Sequence, residues 1–502
     1  MALEMAVSRI AAYCYGGTIY SWTISIGIIL TGFSIGNYIG GRLTGIVSNR
    51  RLQMWFCVGI SATLFISILM NNYINTNGTS TFQWPLNIAH HLALIAFLPC
   101  LCLGGIPPVS TKIILSKTSR QGAAMGNTYS TAAIGSIAGL FITGYYLIDL
   151  IGTASIIWSI ICVFLLFSIT LGFNQHRIHL LILFLLCVSL TFFLPDTFDA
   201  FFEAACLKEK KADNILYEDE SQYSHITIKK DLPHVDIRSL LLDKLIHSTI
   251  NMDHPASLCT PYLLIYAGLT EQLAGDTNPM HFLIIGGGGY VFPRYLKSKW
   301  PTCQIDIIEI DPAITKAAAE GFGLQTDSGF NIIHQEARQY INNRTGRLAS
   351  QSPTDKYDFI FLDAVNDFTV PYQLITKEFH EKIAELLNPD GIFAYVVIDM
   401  LNQSRFLGSN YKTLNRTFEH TYVLYQDIPD TMRNTFVLIA SNQSLNTKTL
   451  LHHDFRMDVK LMDYLLIKPL EDNKSTVVLT DDFAPIESLL LPVFRDYFET
   501  NP

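Results

Sequence analysis

Three carboxylates of this sequence, Glu309, Glu336 and Asp363, each follow a short apolar run, and a fourth run leads straight into four glycines, Gly286 to Gly289. Glycines after a first strand let the backbone approach a ligand, and an acid ending the next strand can accept both hydroxyls of a ribose. Glu309 stands 20 residues beyond Gly289, the interval that pairing needs. Glu336, with Ala337 beside it, is placed to bond an adenine amino group, and Asp363 opens the run Asp363-Ala-Val-Asn-Asp367. Any one of these acids is as readily the N-cap of a following helix. Acids at successive strand ends are expected to face one crevice, since ligands of open α/β sheets collect at the carboxyl ends of the strands. No Cys-x-x-Cys pair occurs, and His90 and His91 are adjacent on a helix and face different ways, so no metal site is expected.

The elements that must position these groups begin near residue 215. Residues 222 to 229 and 236 to 243 alternate around a Lys-Asp-Leu-Pro turn and predict a β-hairpin. Strands then alternate with helical stretches: His281 to Ile285, Gln304 to Glu309, Asn331 to His334, Tyr357 to Leu362, Gly391 to Ile398, and a final pair near 421 to 426 and 434 to 440. That order implies parallel βαβ units and a doubly wound sheet.

Before residue 196 the chain is of another kind. Apolar runs of membrane-spanning length lie at about 21 to 40, 54 to 71, 88 to 111, 128 to 150, 153 to 173 and 178 to 195, with a shorter one at 2 to 19. Residues 1 to 195 hold eight basic residues against two acidic ones, a balance of +6 that leaves −15 of the overall −9 to the remainder. A half this acidic repels nucleic acid and favours cations. Gly36-x-x-x-Gly40 and Gly135-x-x-x-Gly139 suit close helix packing. The reading is a helical membrane domain over 1–196 and an α/β domain over 212–502, in a multi-pass protein of the cell (inner) membrane. Basic loops at Arg42 to Arg51 and Lys112 to Arg120 favour the cytoplasm and by counting put the second domain on the far side, while Lys208, Lys210 and Lys211 argue for the near one.

The runs Ile284-Ile-Gly-Gly-Gly-Gly289, Ile308-Glu-Ile-Asp-Pro312, Tyr357-Asp-Phe-Ile-Phe-Leu-Asp363 and Leu386-Leu-Asn-Pro-Asp-Gly391 resemble the spermidine synthase family. Glu220-Ser-Gln-Tyr-Ser-His-Ile226 looks like that family's N-terminal hairpins, and Leu479-Thr-Asp-Asp-Phe-Ala-Pro485 and Gly36-Asn-Tyr-Ile-Gly-Gly-Arg42 look like its membrane-fused branch. The resemblance implies a Rossmann-like domain of the class I methyltransferase type and a polyamine aminopropyltransferase. Its co-substrate would be decarboxylated S-adenosylmethionine, with no permanently bound cofactor and 5′-methylthioadenosine released. It implies Asp363 as proton acceptor, Gly286, Gly287, Gly288, Glu309, Glu336 and Ala337 as the adenosyl site, and Asp367, Tyr223 and Tyr262 as neighbours of a polyamine such as putrescine. Its other implied partner is the lipid bilayer, and a homodimer is compatible with it. The family's glycine-loop Asp is replaced here by Gly289, a Gln by Ser224, a His by Leu263, and the adenine-site Asp by Glu336. Other readings of the same site are a transferase of intact S-adenosylmethionine and a non-catalytic transporter or sensor.

Overall fold

The computed structural model describes the whole chain except residues 78–83, 173, 206, 208–213, 233, 244, 274–279, 326–327, 349–355, 366–369, 447–458 and 501–502. It divides into two compact units, Met1–Ala212 with Phe498–Pro502, and Asp213–Tyr497. Helix Pro195–Ala204, which crosses the expected end of the first domain at 196, belongs to the first unit.

The first unit is helical: α1 (Ala2–Tyr15), α2 (Ile19–Leu43), α3 (Asn49–Asn77), α4 (Trp84–Leu92), α5 (Leu98–Leu115), α6 (Gln121–Ile142), α7 (Ile148–Leu171), α8 (Asn174–Phe193) and α9 (Pro195–Ala204). Among the described residues four stretches are long and apolar enough to cross a membrane, five if Arg177–Phe193 is counted with α9, which bends away by 101°. One of the four, Gln121–Leu171, runs for 51 residues. At 1.5 Å per residue that is more than twice a hydrocarbon core of about 30 Å. The backbone breaks within it at Gly152, at φ 72°, so the runs expected at 128 to 150 and 153 to 173 meet at this break.

The two small-residue motifs behave differently. A Cβ at Gly40 would lie 2.6 Å from the Gly105 carbonyl, and one at Gly36 would collide with the carbonyl of Leu101, so α2 and α5 touch through their backbones. At Gly135 nothing lies within 4 Å, and at Gly139 only Met1 approaches, at 3.8 Å. The helix packing expected there is absent among the described residues, and Ala124 is the buried residue of α6. Small residues permit close approach but supply little attraction of their own. Elsewhere the bundle is well tied. His91 is fully buried between Tyr15 Oη and Asn71 Oδ1, each at 2.9 Å, and Trp158 packs on Phe198, Phe201 and Phe202 of α9.

The second unit opens with an antiparallel sheet of β1 (Ile215–Glu220), β2 (His225–Lys230), β3 (Ile237–Leu242) and β4 (Leu245–Asn251), in that order. The expected hairpin is β2–β3, with Ile226 opposite Leu242 and Lys230 opposite Arg238. Its inner face, Ile226, Ile228, Leu240 and Ile250, packs on Val291, Ile314, Ala317 and Phe322. The larger sheet joins β5 (His281–Ile285), β6 (Gln304–Glu309), β7 (Asn331–His334), β8 (Tyr357–Leu362), β9 (Leu387–Met400), β10 (His420–Gln426), β11 (Arg433–Ser441) and β12 (Val459–Leu461). Their order across the sheet is β12-β10-β11-β9-β8-β5-β6-β7. Strands β5 to β9 run parallel, and β11 is antiparallel to β9. Phe282, Leu283, Ile307, Ile360, Phe361 and Leu362 are completely buried, as parallel strands covered on both faces must be. Helices α10 (Pro261–Leu273), α11 (Val291–Lys299), α12 (Pro312–Phe322), α13 (Ala337–Leu348), α14 (Lys377–Leu386) and α15 (Arg405–Leu414) cover it. This is the Rossmann-like methyltransferase arrangement. The chain runs outward from β5 to β7, then returns to β8 on the other side of β5, which sets a topological switch point between the ends of β5 and β8.

Candidate active site

The glycine loop and Asp363 meet at that switch point. The Asp363 amide donates to the Ile285 carbonyl at 2.7 Å, continuing the β5–β8 pairing to the last residue of β5. Gly286 then turns at φ 107°, and a Cβ there would stand 2.5 Å from the Asp363 carbonyl oxygen, so a side chain has no room. Gly289, at φ 76°, would meet Phe322 at 2.7 Å, which accounts for the lack of an acidic side chain at this point of the loop.

Around this point lies a cavity of about 560 Å³. Gly286, Gly288, Glu309, Glu336, Ala337, Asp363, Tyr223 and Tyr262 all line it. Gly287 does not figure among its lining residues, because its amide is turned to Glu309, donating to Oε2 at 2.7 Å. Asp367 lies outside the described residues.

Asp363 receives the Tyr262 hydroxyl on Oδ2 at 3.0 Å. Burial pushes its pKa up to about 7, and the Tyr262 hydrogen bond pulls the other way. A carboxyl that titrates there suits proton transfer at neutral pH. Glu309 is 5% exposed, with Oε2 held by the Gly287 amide and Oε1 by the Asp311 amide at 2.9 Å. Burial raises its pKa, and those amides oppose the rise. A carboxylate has about four lone-pair sites, so capacity to accept from a ligand is left beside these backbone amides.

Glu336 also serves as a cap, its Oε2 accepting the Gln339 amide at 2.7 Å at the start of α13. Cap and cavity-lining group are therefore one residue. Tyr223 faces the same acids: its phenol is raised by burial and then by the charges of Asp311, Glu309 and Glu336.

Other residues of the cavity have no place in the site as read from the sequence, where Asp311 enters only within a motif and Ser224 only as a replacement for the family's Gln. Asp311 caps α12 through the Ala313 amide at 2.9 Å and accepts the Ser221 hydroxyl at 2.5 Å, which fastens the Tyr223–Ser224 turn over the end of β6. The motif Ile308-Glu-Ile-Asp-Pro312 carried that signal, an acid before a proline that starts a helix. Ser224 Oγ and His247 Nε2 are buried without a hydrogen-bond partner among the described residues, and both residues line the cavity. Burial holds the imidazole pKa down at about 4, so His247 is neutral. The far wall is built from Val396, Ile398, Gln426, Asn434 and Thr435 of β9, β10 and β11. Strand register brings these together, with Ile398 opposite Thr435, and no local motif announces it.

Residues 268–450 match the family model described as "Spermine/spermidine synthase domain". A "Probable polyamine aminopropyl transferase" of Bifidobacterium longum is 26% identical over 297 residues, covering 55% of this chain and 62% of its own length, so the chain spans about three fifths of that relative. A "Polyamine aminopropyltransferase" of Oceanobacillus iheyensis is 21% identical over 512 residues and covers 96% of this chain and 87% of its own. Among solved structures, a probable spermidine synthase from Corynebacterium glutamicum is similar at 18% identity and TM-score 0.46, over 54% of this chain and 98% of that one.

Proposed function

Because the C-terminal part of this chain is a spermidine synthase domain, joined to an N-terminal extra region, we propose that the protein is a polyamine aminopropyltransferase held in the cell membrane by that region. The donor is decarboxylated S-adenosylmethionine and the acceptor a polyamine such as putrescine. The observation that carries the reading is the meeting of Asp363, its pKa near 7, with Glu309 and Glu336 around one cavity at the switch point.

The donor's ribose hydroxyls lie on Glu309 and its adenine at Glu336 and Ala337, leaving the propyl chain toward Asp363. A neutral amine of the acceptor attacks the propyl carbon beside the sulfonium. The new C–N bond forms as the C–S bond breaks, and its electron pair returns to sulfur, giving neutral 5′-methylthioadenosine. The proton shed by nitrogen passes to the Asp363 carboxylate, which the Tyr262 hydroxyl orients. Tyr223 closes the acceptor side, with Asp367 assigned to the same role from its place after Asp363.

Membrane attachment rests on the long apolar helices, whose large side chains stay open on the outer surface: Leu150 is 76% exposed and Phe193 78%. Such a surface suits lipid and not water.

The test is turnover by the detergent-solubilised chain with decarboxylated donor and putrescine. Asp363→Asn keeps size and shape but takes no proton, so turnover is expected to fall by roughly 10²- to 10⁴-fold, with donor affinity little changed. Equal turnover in the two proteins defeats the assignment of Asp363. No turnover by wild type with any amine defeats the transferase reading.

A further inference from the structure

We infer that Arg338 and Asp481 are positioning residues of this site, a clamp that holds the cavity wall formed by Pro371, Gln373 and Leu374 against the wall formed by Glu336 and Ala337. The inference rests on the adenosyl-binding reading above and adds residues that it does not use. Arg338 is the second residue of α13, immediately after Glu336 and Ala337. Its Nη1 donates to the Gln373 carbonyl at 2.8 Å and to Thr376 Oγ1 at 3.1 Å, and its Nη2 to Asp481 Oδ2 at 2.6 Å. The Thr376 hydroxyl, fully buried, in turn donates to Asp481 Oδ1 at 2.6 Å. The backbone repeats the fastening: the Asp481 amide donates to Glu378 Oε2 at 3.0 Å, and the Lys377 amide to the Leu479 carbonyl at 2.9 Å.

Three segments far apart in sequence, 336–338, 371–378 and 479–485, are thus tied at one guanidinium. Two of them carry cavity-lining residues, and the third is the run Leu479-Thr-Asp-Asp-Phe-Ala-Pro485, for which the reaction itself has no use. The Asp481 side chain is 45% exposed, and an ion pair this open to water adds little to stability by itself. What the fork does supply is geometry, because a planar guanidinium reaches a carbonyl, a hydroxyl and a carboxylate in fixed directions. A lysine has the charge without the fork.

The experiment uses the full chain in detergent and measures 5′-methylthioadenosine affinity by calorimetry, the donor KM and kcat, and Tm. Arg338→Lys and Asp481→Asn are each expected to weaken methylthioadenosine binding and raise the donor KM by about tenfold, the scale of one ligand hydrogen bond lost from a displaced wall. In both, kcat and Tm are expected to move much less. Glu381→Gln, which breaks the exposed Lys377–Glu381 pair on α14, is the control and should leave all four unchanged. Should Arg338→Lys fail to fold, Asp481→Asn decides the matter, since it changes a half-exposed side chain. Unchanged ligand affinity with a lowered Tm overturns the inference and leaves a structural ion pair. A wild type that does not bind methylthioadenosine overturns the adenosyl reading, and the inference with it.

Discussion

Asp363 is the residue whose titration the proposed chemistry depends on. A base must be ionised to act, so kcat/KM should rise with pH through about 7, where burial has placed this carboxyl, and level off above. The Tyr262 hydroxyl favours the ionised form, so Tyr262→Phe is expected to move that rise to higher pH. Linkage gives a second readout with its own sign. The folded pKa lies above the unfolded carboxyl value of about 3.9, so the fold favours the neutral form. The stability Asp363 contributes is fully present below pH of about 4 and is lost as pH rises through about 7. Asp363→Asn, which never ionises, should therefore gain in Tm relative to wild type between pH 5 and pH 8. Glu309 is tested by binding. Glu309→Gln puts an amide nitrogen where one of two backbone N–H groups needs an acceptor, and it removes the charge. Methylthioadenosine affinity should fall by about 2 to 3 kcal/mol, and an unchanged value would remove Glu309 from the ribose site.

Between residue and fold stand the strand ends, where side chains double as caps. Asp399, near the end of β9, is completely buried, and its oxygens accept the Met400 amide at 2.8 Å and the Leu407 amide at 2.9 Å. It ties β9 to the first turn of α15. Burial lifts its pKa to about 7 too, but Asp399 is not among the residues lining the cavity. Asp399→Ala should cost about 2 to 3 kcal/mol of stability by leaving buried amides unpaired, readable as a lower Tm, while the pH dependence of turnover stays that of Asp363. The strands bearing the expected acids were legible because their apolar runs are short and bounded. β1, β4 and β12 were not singled out: β1 carries Glu218, Asp219 and Glu220, and β12 is three residues long. Both lie at sheet edges, where pairing with a neighbour and not local pattern decides the strand. At Gly135-x-x-x-Gly139 the pattern was legible but the contact did not follow, since a small-residue stripe needs a facing helix that the sequence does not specify.

At the scale of the whole molecule, the test is separation. A chain cut at about residue 212 should give an N-terminal part that needs detergent and a C-terminal part soluble alone; recovery of the latter only in the membrane fraction would refute that boundary. Composition by itself determined that the chain has two chemically unlike halves, because an apolar stretch of membrane length and a basic surplus of +6 are additive properties of residues. Motif spacing determined a glycine loop followed by acids at strand ends, because a strand and its turn are local and their length is counted in residues. The tertiary structure alone decided what those acids touch. The resemblance put Tyr262 in the pocket, but not its hydroxyl on Asp363, 101 residues away, and the sequence offered cap and site as alternatives for Glu336, where the fold makes it both. The far wall from β9, β10 and β11 and the fork joining Arg338 to Asp481, 143 residues away, likewise depend on sheet order and register. Hydrogen bonds between distant segments are set by where the chain turns back. A local pattern carries no record of that.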